Sequence, residues 1–293
     1  MKTTKVKQPI ITQSEINKIE NYQIKKKLAG KYHPWVTVRQ SQTHGQGHIL
    51  TSHKADHPVH LLSLGEHNAF LTVEHESSVI CIYEQFPLCI RETMKIAKEL
   101  NIRHPGSYKE RVKHDMKIPA KTMTTDLVVV MLDERGSTAI QPYSFKYSSS
   151  LDLSQTSGRS VNRTQNKLKI ETAYWADKSN GLRLINETFF CATKIYNLSY
   201  LRQCFDYREY IEQKSAIYIS TVITFNKLLT HSVEKTLKEC IETAAITVGI
   251  DAFHAECVFQ HACYEGLLPI DLSQKIELWA PVPLYTKVNP YAY

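Results

Sequence analysis

No run of about eighteen apolar residues occurs in this 293-residue chain, so no segment has the composition of a membrane-crossing helix. The start, Met1 to Thr12, carries lysines but lacks the apolar stretch of a secretion signal, which predicts a cytoplasmic protein with no membrane partner. The seven cysteines are an odd number spread from Cys81 to Cys263. That pattern argues against a disulfide framework and predicts reduced thiols. There is no internal repeat, which excludes a repeat array. The glycine pair Gly45 and Gly47 lacks the Lys-Ser/Thr ending and the preceding buried strand of a phosphate-binding loop, so no nucleotide site is expected.

What is present describes a folded protein. Hydrophobic residues make up 42% and charged residues 22%, too apolar a balance for a chain disordered throughout. At roughly 150 residues per domain the length suggests two domains. Lys and Arg number 36 against 29 Asp and Glu, a net charge of +7. This excess favours polyanionic partners, with nucleic acid leading.

Residues 1–32 are polar and Lys-rich, include Lys25, Lys26 and Lys27, and read either as a basic arm touching phosphate or as a solvated helix around Glu15 to Leu28. Trp35-Val36-Thr37-Val38 reads as an extended segment, with strand and loop through Leu62. Ser63 and Glu66 have the spacing of a helix start, predicting a helix to about Glu76. A strand follows at Val79 to Tyr83, then a short helix from Thr93 to Leu100. Asp126 to Met131 and Ala139 to Tyr147 predict two strands joined through Asp133-Glu134-Arg135-Gly136, which has hairpin turn chemistry. Ser148 to Gln165 reads as an exposed Ser/Thr-rich loop before a helix from Asn166 to Lys178, with another strand-like run from Gly181 to Phe190. Beyond Cys191 an amphipathic helix opening at Ser232, a turn at Gly249, a helix from Asp251 to Tyr264 and a short extended Leu267 to Leu272 suggest a winged helix-turn-helix with a β-ribbon.

A hairpin brings Asp126 on one strand to Ser144 and Lys146, which lie two apart and share a face of the next. Glu66 can join them from the preceding helix. Two carboxylates, the Phe145 carbonyl and water form an oxygen set suited to Mg²⁺, with Mn²⁺ expected to substitute. An ion there activates water toward a phosphodiester. Spacing alone does not establish this, and by itself favours the plainer readings that Asp126 caps or ends a strand, that Glu66 is half of a capping box, and that Lys146 is a solvated strand lysine.

Several motifs recur in one order: Pro34-Trp35-Val36-Thr37-Val38, Gly45-Gln46-Gly47-His48, His60-Leu61-Leu62-Ser63-Leu64-Gly65-Glu66, Glu76-Ser77-Ser78-Val79, Glu84-Gln85-Phe86-Pro87-Leu88 and His104-Pro105. With Thr125-Asp126, Lys167-Leu168-Lys169-Ile170-Glu171 and Tyr174-Trp175, the stretch from Tyr32 to Phe190 resembles the TnsA family, the endonuclease subunits of heteromeric Tn-seven-like transposons. The resemblance implies a restriction-endonuclease-like mixed α/β core, placed over residues 1–192, and the helix pattern beyond it reads as a mainly helical winged-helix domain over 193–293. It implies a metal-dependent site of Glu66, Asp126 and Lys146. The position two before the lysine, usually Glu or Gln in such sites, is Ser144, a shorter and weaker ligand. Glu171 matches an acidic position on the following helix. The resemblance further implies cleavage of the 5′ strands of double-stranded DNA at transposon ends, with a TnsB-like transposase and a TnsC-like ATPase as partners. Two rivals are a catalytically weak adaptor that recruits those partners and a stand-alone nuclease.

Other features weigh less. Lys117 and Lys121 are candidate phosphate contacts, and His44, a candidate DNA contact, falls in a stretch for which the resemblance implies a loop that lines DNA or packs near the site. Seven of the thirteen histidines lie between His44 and His75, but His53, His57 and His60 have no cysteine pair at ligand spacing. His254, Cys257, His261 and Cys263 lie within one predicted helix, and only some share a face. Tyr285, Tyr291 and Tyr293 read equally as partner anchors and as a frayed tail.

Overall fold

A computed structural model describes residues 5–41 and 46–285. His44 and Gly45, and the terminal Tyr291 and Tyr293, lie outside the described residues. The chain divides into two compact units, residues 1–189 and 190–293.

The first unit begins with helix α1 (Gln13–Ala29), capped by Thr12, whose hydroxyl accepts from the Glu15 amide. Glu15 Oε1 accepts from the Thr122 amide at 2.9 Å and from its hydroxyl at 2.6 Å, and Ile10 bridges Pro119. These bonds tie the basic amino-terminal segment to the body of the unit. The extended segment expected at 35–38 is not a strand. Thr37 caps a single 3₁₀ turn, Val38–Gln40, and the Gln40 side chain returns the bond to the Thr37 amide. This local exchange satisfies the backbone without a neighbouring strand.

Strands β1 (His48–Leu50) and β2 (Val59–Leu61) form a small antiparallel pair. Helix α2 (Leu64–Glu74) follows, then β3 (Val79–Pro87), α3 (Ile90–Glu99), β4 (Thr124–Leu132), β5 (Thr138–Phe145), α4 (Gly158–Trp175) and β6 (Arg183–Ile185). The main sheet has the order β3-β4-β5-β6, antiparallel except for the β5–β6 pair, which is parallel. The β4–β5 connection closes as a hairpin: Asp133 Oδ1 accepts from the amides of Arg135 and Ser137, and Gly136 takes the left-handed conformation at φ 74°. β4 reads as a nearly continuous apolar run because it is central and buried along most of its length. Helices α3 and α4 cover this sheet through a core containing Leu88, Met123, Val128, Ile170 and Trp175. The Trp175 indole N–H donates to Thr125 Oγ1 at 2.8 Å, so the largest core side chain leaves no polar atom unpaired. Helix α4 starts well before the expected residue 166, and takes up the second half of the Ser/Thr-rich stretch that read as a loop.

The second unit is helical: α5 (Ala192–Leu201), α6 (Ala216–His231), α7 (Leu237–Val248) and α8 (Ala252–Tyr264). α7 begins at a reciprocal Thr236–Glu239 capping box, five residues after the Ser232 start read from periodicity. It ends at Gly249, left-handed at φ 79°, and Asp251 then caps α8. α6, α7 and α8 pack on one another. The β-ribbon expected after α8 is reduced to isolated bridges, Ile270 with Leu284 and Thr236 with Pro281. Two prolines, Pro281 and Pro283, interrupt the donor pattern that a longer ladder requires. Among the described residues no helix is long and apolar enough to cross a membrane.

Candidate active site

Glu66 sits in the first turn of α2. Ser63 caps the helix, accepting from the Glu66 amide at 3.2 Å while its hydroxyl donates to Glu66 Oε1 at 3.2 Å. The Leu62 amide and the Gln85 side-chain amide both donate to Glu66 Oε2, at 3.0 and 3.1 Å. The carboxylate is thus oriented by three donors.

Asp126 projects from β4, and its Oδ2 accepts from the Phe145 amide at 2.8 Å and from Lys146 Nζ at 3.0 Å. Lys146 follows β5 directly, and its amide donates to Ile185 O on β6 at 2.9 Å. Its ammonium also donates to the Phe145 carbonyl in a short bond. A single cation therefore sits between the Asp126 carboxylate and the Phe145 carbonyl. Ser144 has a different partner: its hydroxyl donates to Glu171 Oε1 at 2.6 Å, and both side chains are buried, each 1% exposed.

The electrostatics follow from crowding. Burial, and then the charge of Asp126, push the Glu66 carboxyl up to about 7. Burial also raises Glu171, with Asp126 adding to it. Burial would lower Lys146, but Asp126, Glu171 and Glu66 surround it with negative charge and hold it above the ordinary lysine value. It is a permanent cation at neutral pH.

Glu66 and Asp126 open into one cleft of about 1070 Å³, whose wall also carries Lys18, Lys113, Lys121 and Lys167. Lys121 thus lies on the cleft, whereas Lys117 is exposed on the adjacent turn and is not part of its lining. Pattern reading passed over Lys18, Lys113 and Lys167. Only Lys167 carried a usable signal, lying one helical turn before Glu171. Gln85 was also passed over as a site residue; its role depends on a contact distant in sequence.

Among the described residues, no three His, Cys, Asp or Glu side chains converge as a ready-made metal cluster. His57 pairs instead with buried Glu84, Nε2 to Oε2 at 2.9 Å, and the His60 amide donates to the other oxygen of Glu84 at 3.0 Å. His261 is buried against the Tyr218 hydroxyl at 2.8 Å, and Cys257 and Cys263 are buried free thiols of α8. All seven cysteines are unbridged.

Residues 76–187 match the family model described as TnsA-like endonuclease N terminal. Over 150 residues the chain is 33% identical to the Transposon Tn7 transposition protein TnsA of Escherichia coli, an alignment covering 50% of this chain and 47% of that protein. The chain thus spans about half the length of the curated relative it matches. Asp126, Ser144, Lys146 and Glu171 fall within the family match, and Glu66 precedes it. Residues 76–187, within a mixed α/β unit, are thus similar to the amino-terminal domain of TnsA-like endonucleases.

Proposed function

We propose that this protein is a metal-dependent DNA endonuclease that cleaves the 5′ strands at transposon ends. The observation that carries the reading is the cation cradle: Lys146 Nζ lies between Asp126 Oδ2 and the Phe145 carbonyl, and Asp126 shares the cleft wall with Glu66. These are hard oxygen donors already occupied by a positive charge, and burial, then the charge of Asp126, push the neighbouring Glu66 carboxyl up. The donor set fits Mg²⁺ or Mn²⁺. Glu66, Asp126 and the Phe145 carbonyl would hold the ion, with Ser144 a poor further ligand because Glu171 engages its hydroxyl. When bound, such an ion supplies Lewis-acid stabilisation of phosphate charge and lowers the pKa of water. Lys146 neutralises charge gathering on the phosphodiester, and the lysines of the cleft wall hold the DNA backbone.

The resemblance supports this reading's choice of partners: a TnsB-like transposase acting on the opposite strands and a TnsC-like ATPase, in the bacterial cytoplasm. The helical second unit, with α7 and α8 joined through Gly249, is read as a winged helix that contacts DNA or the ATPase. A second reading, an adaptor with a weakened site, is favoured by one feature, the engagement of Ser144 by Glu171 where related sites supply a carboxylate or amide.

The test is strand-resolved cleavage of donor DNA in Mg²⁺ with the transposase and ATPase present, comparing wild type, Asp126→Ala and Lys146→Ala. Loss of the 5′-strand cuts alone in both variants supports the nuclease. Unchanged 5′ cuts assign the chemistry to another subunit and leave an adaptor.

A further inference from the structure

We infer that Gln85 is a positioning residue that clamps Glu66 for divalent-ion binding, with Thr124 as its anchor; this rests on the metal-nuclease reading above. Gln85 is 3% exposed yet lies on the wall of the cleft that holds Glu66 and Asp126. Its side-chain amide is used at both ends. Nε2 donates to Glu66 Oε2 at 3.1 Å, and Oε1 accepts from Thr124 Oγ1 at 3.1 Å. The orientation of the amide follows from its partners, since a carboxylate only accepts and the hydroxyl has a proton to give.

The backbone supports the same assignment. Glu84 pairs with Leu127 and Phe86 with Thr125, so Gln85 falls opposite Asp126, but it is rotated out of the ladder. Its φ is 46°, and its carbonyl turns to accept from the Trp35 amide at 3.2 Å. Glycine would take this left-handed conformation without strain, whereas glutamine does not. The chain keeps a strained glutamine at the strand position facing Asp126, and its side chain joins the helix bearing Glu66 to the strand bearing Asp126. An ionised carboxylate offers about four lone-pair sites. Leu62, Ser63 and Gln85 occupy three of those on Glu66, which leaves one direction for an ion.

The test is Mn²⁺ binding to the full chain by titration calorimetry, together with thermal unfolding in EDTA, for wild type, Gln85→Gly, Thr124→Val, Thr124→Ser and Asp126→Ala. Groups that orient metal ligands are worth about 10–100-fold in affinity. Gln85→Gly, which relieves the left-handed strain but loses two buried hydrogen bonds, is expected to remain folded in EDTA while binding Mn²⁺ at least about tenfold more weakly. Thr124→Val is expected to weaken binding in the same direction, and Thr124→Ser to retain it. Wild-type affinity in both Gln85→Gly and Thr124→Val, with loss in Asp126→Ala, overturns the clamp and leaves the metal site standing. Binding indifferent to Asp126→Ala overturns the metal site and the clamp with it.

Discussion

Gly65 lies directly against the ring of Phe145: a methyl group on its Cα would overlap Cε1 and Cζ of the phenyl ring. The residue before Glu66 is thereby packed onto the residue before Lys146, which fixes the start of α2 against the end of β5. Phe145 is buried and its ring cannot flex away as a long side chain would. Gly65→Ala is expected to destabilise the first unit by about 1–3 kcal/mol. Partial recovery in Gly65→Ala/Phe145→Leu, followed by thermal unfolding, would locate the cost at this contact.

The lysines on the cleft wall predict a particular salt dependence. Each phosphate contact releases counterions, so Lys18→Gln, Lys113→Gln and Lys167→Gln should each lower the slope of log affinity against log salt by about 1 on duplex DNA. Lys117→Gln, off the lining, should change it less. Fluorescence anisotropy over a salt series reads both.

Two buried histidines give the two units opposite responses to pH. Burial opposes the charge on His57, but Glu84 and Asp56 more than offset it and hold its pKa above the ordinary 6.5. Its contribution is fully present below pH 6.5 and is lost as pH rises through the raised value. Burial pushes His261 down to about 4 from 6.5. Its neutral ring is favoured, and stability is lost as pH falls from 6.5 towards 4 because only the unfolded chain takes up the proton. At pH 5 the loss amounts to about 1–2 kcal/mol. The urea midpoint of α8, followed by hydrogen exchange of its peptides, should fall between pH 7 and pH 5 in wild type and stay level in His261→Gln.

The Ser144–Glu171 pair makes a prediction that separates structure from ligation. Ser144→Ala leaves a buried carboxyl without its 2.6 Å donor and should cost about 1–3 kcal/mol. Glu171→Gln keeps an acceptor for the hydroxyl and removes a buried charge, so its chemical-denaturation midpoint should stay near wild type.

Legibility in the sequence follows the range of the interactions involved. α2, the β4–β5 hairpin and α8 could be read because Ser63, the Asp133–Gly136 turn and Asp251 act on residues only two to four positions away. α5 and α6 were not read. α6 is rich in β-branched residues, leaves Ile217, Ile219 and Ile223 exposed, and so lacks a clean helical stripe. The first turns of α4 were hidden by Ser and Thr, which read as loop. At the candidate site, strand alternation places Ser144 and Lys146 on one face, yet their side chains go to different partners, Glu171 and Asp126. Gln85 leaves no local trace, because its partners Glu66 and Thr124 are distant in the chain.

The backbone bond from Lys146 to Ile185 on β6 has a consequence for synthesis. β6 is the last strand of the sheet, added in parallel after α4, so the edge that seats Lys146 is closed only once residue 185 has been made. On the nuclease reading, a chain still growing on the ribosome has Glu66 and Asp126 but no finished seat for its lysine. Such a chain would then stay harmless to DNA until nearly two thirds of its length is built, and so would a product terminated before residue 185.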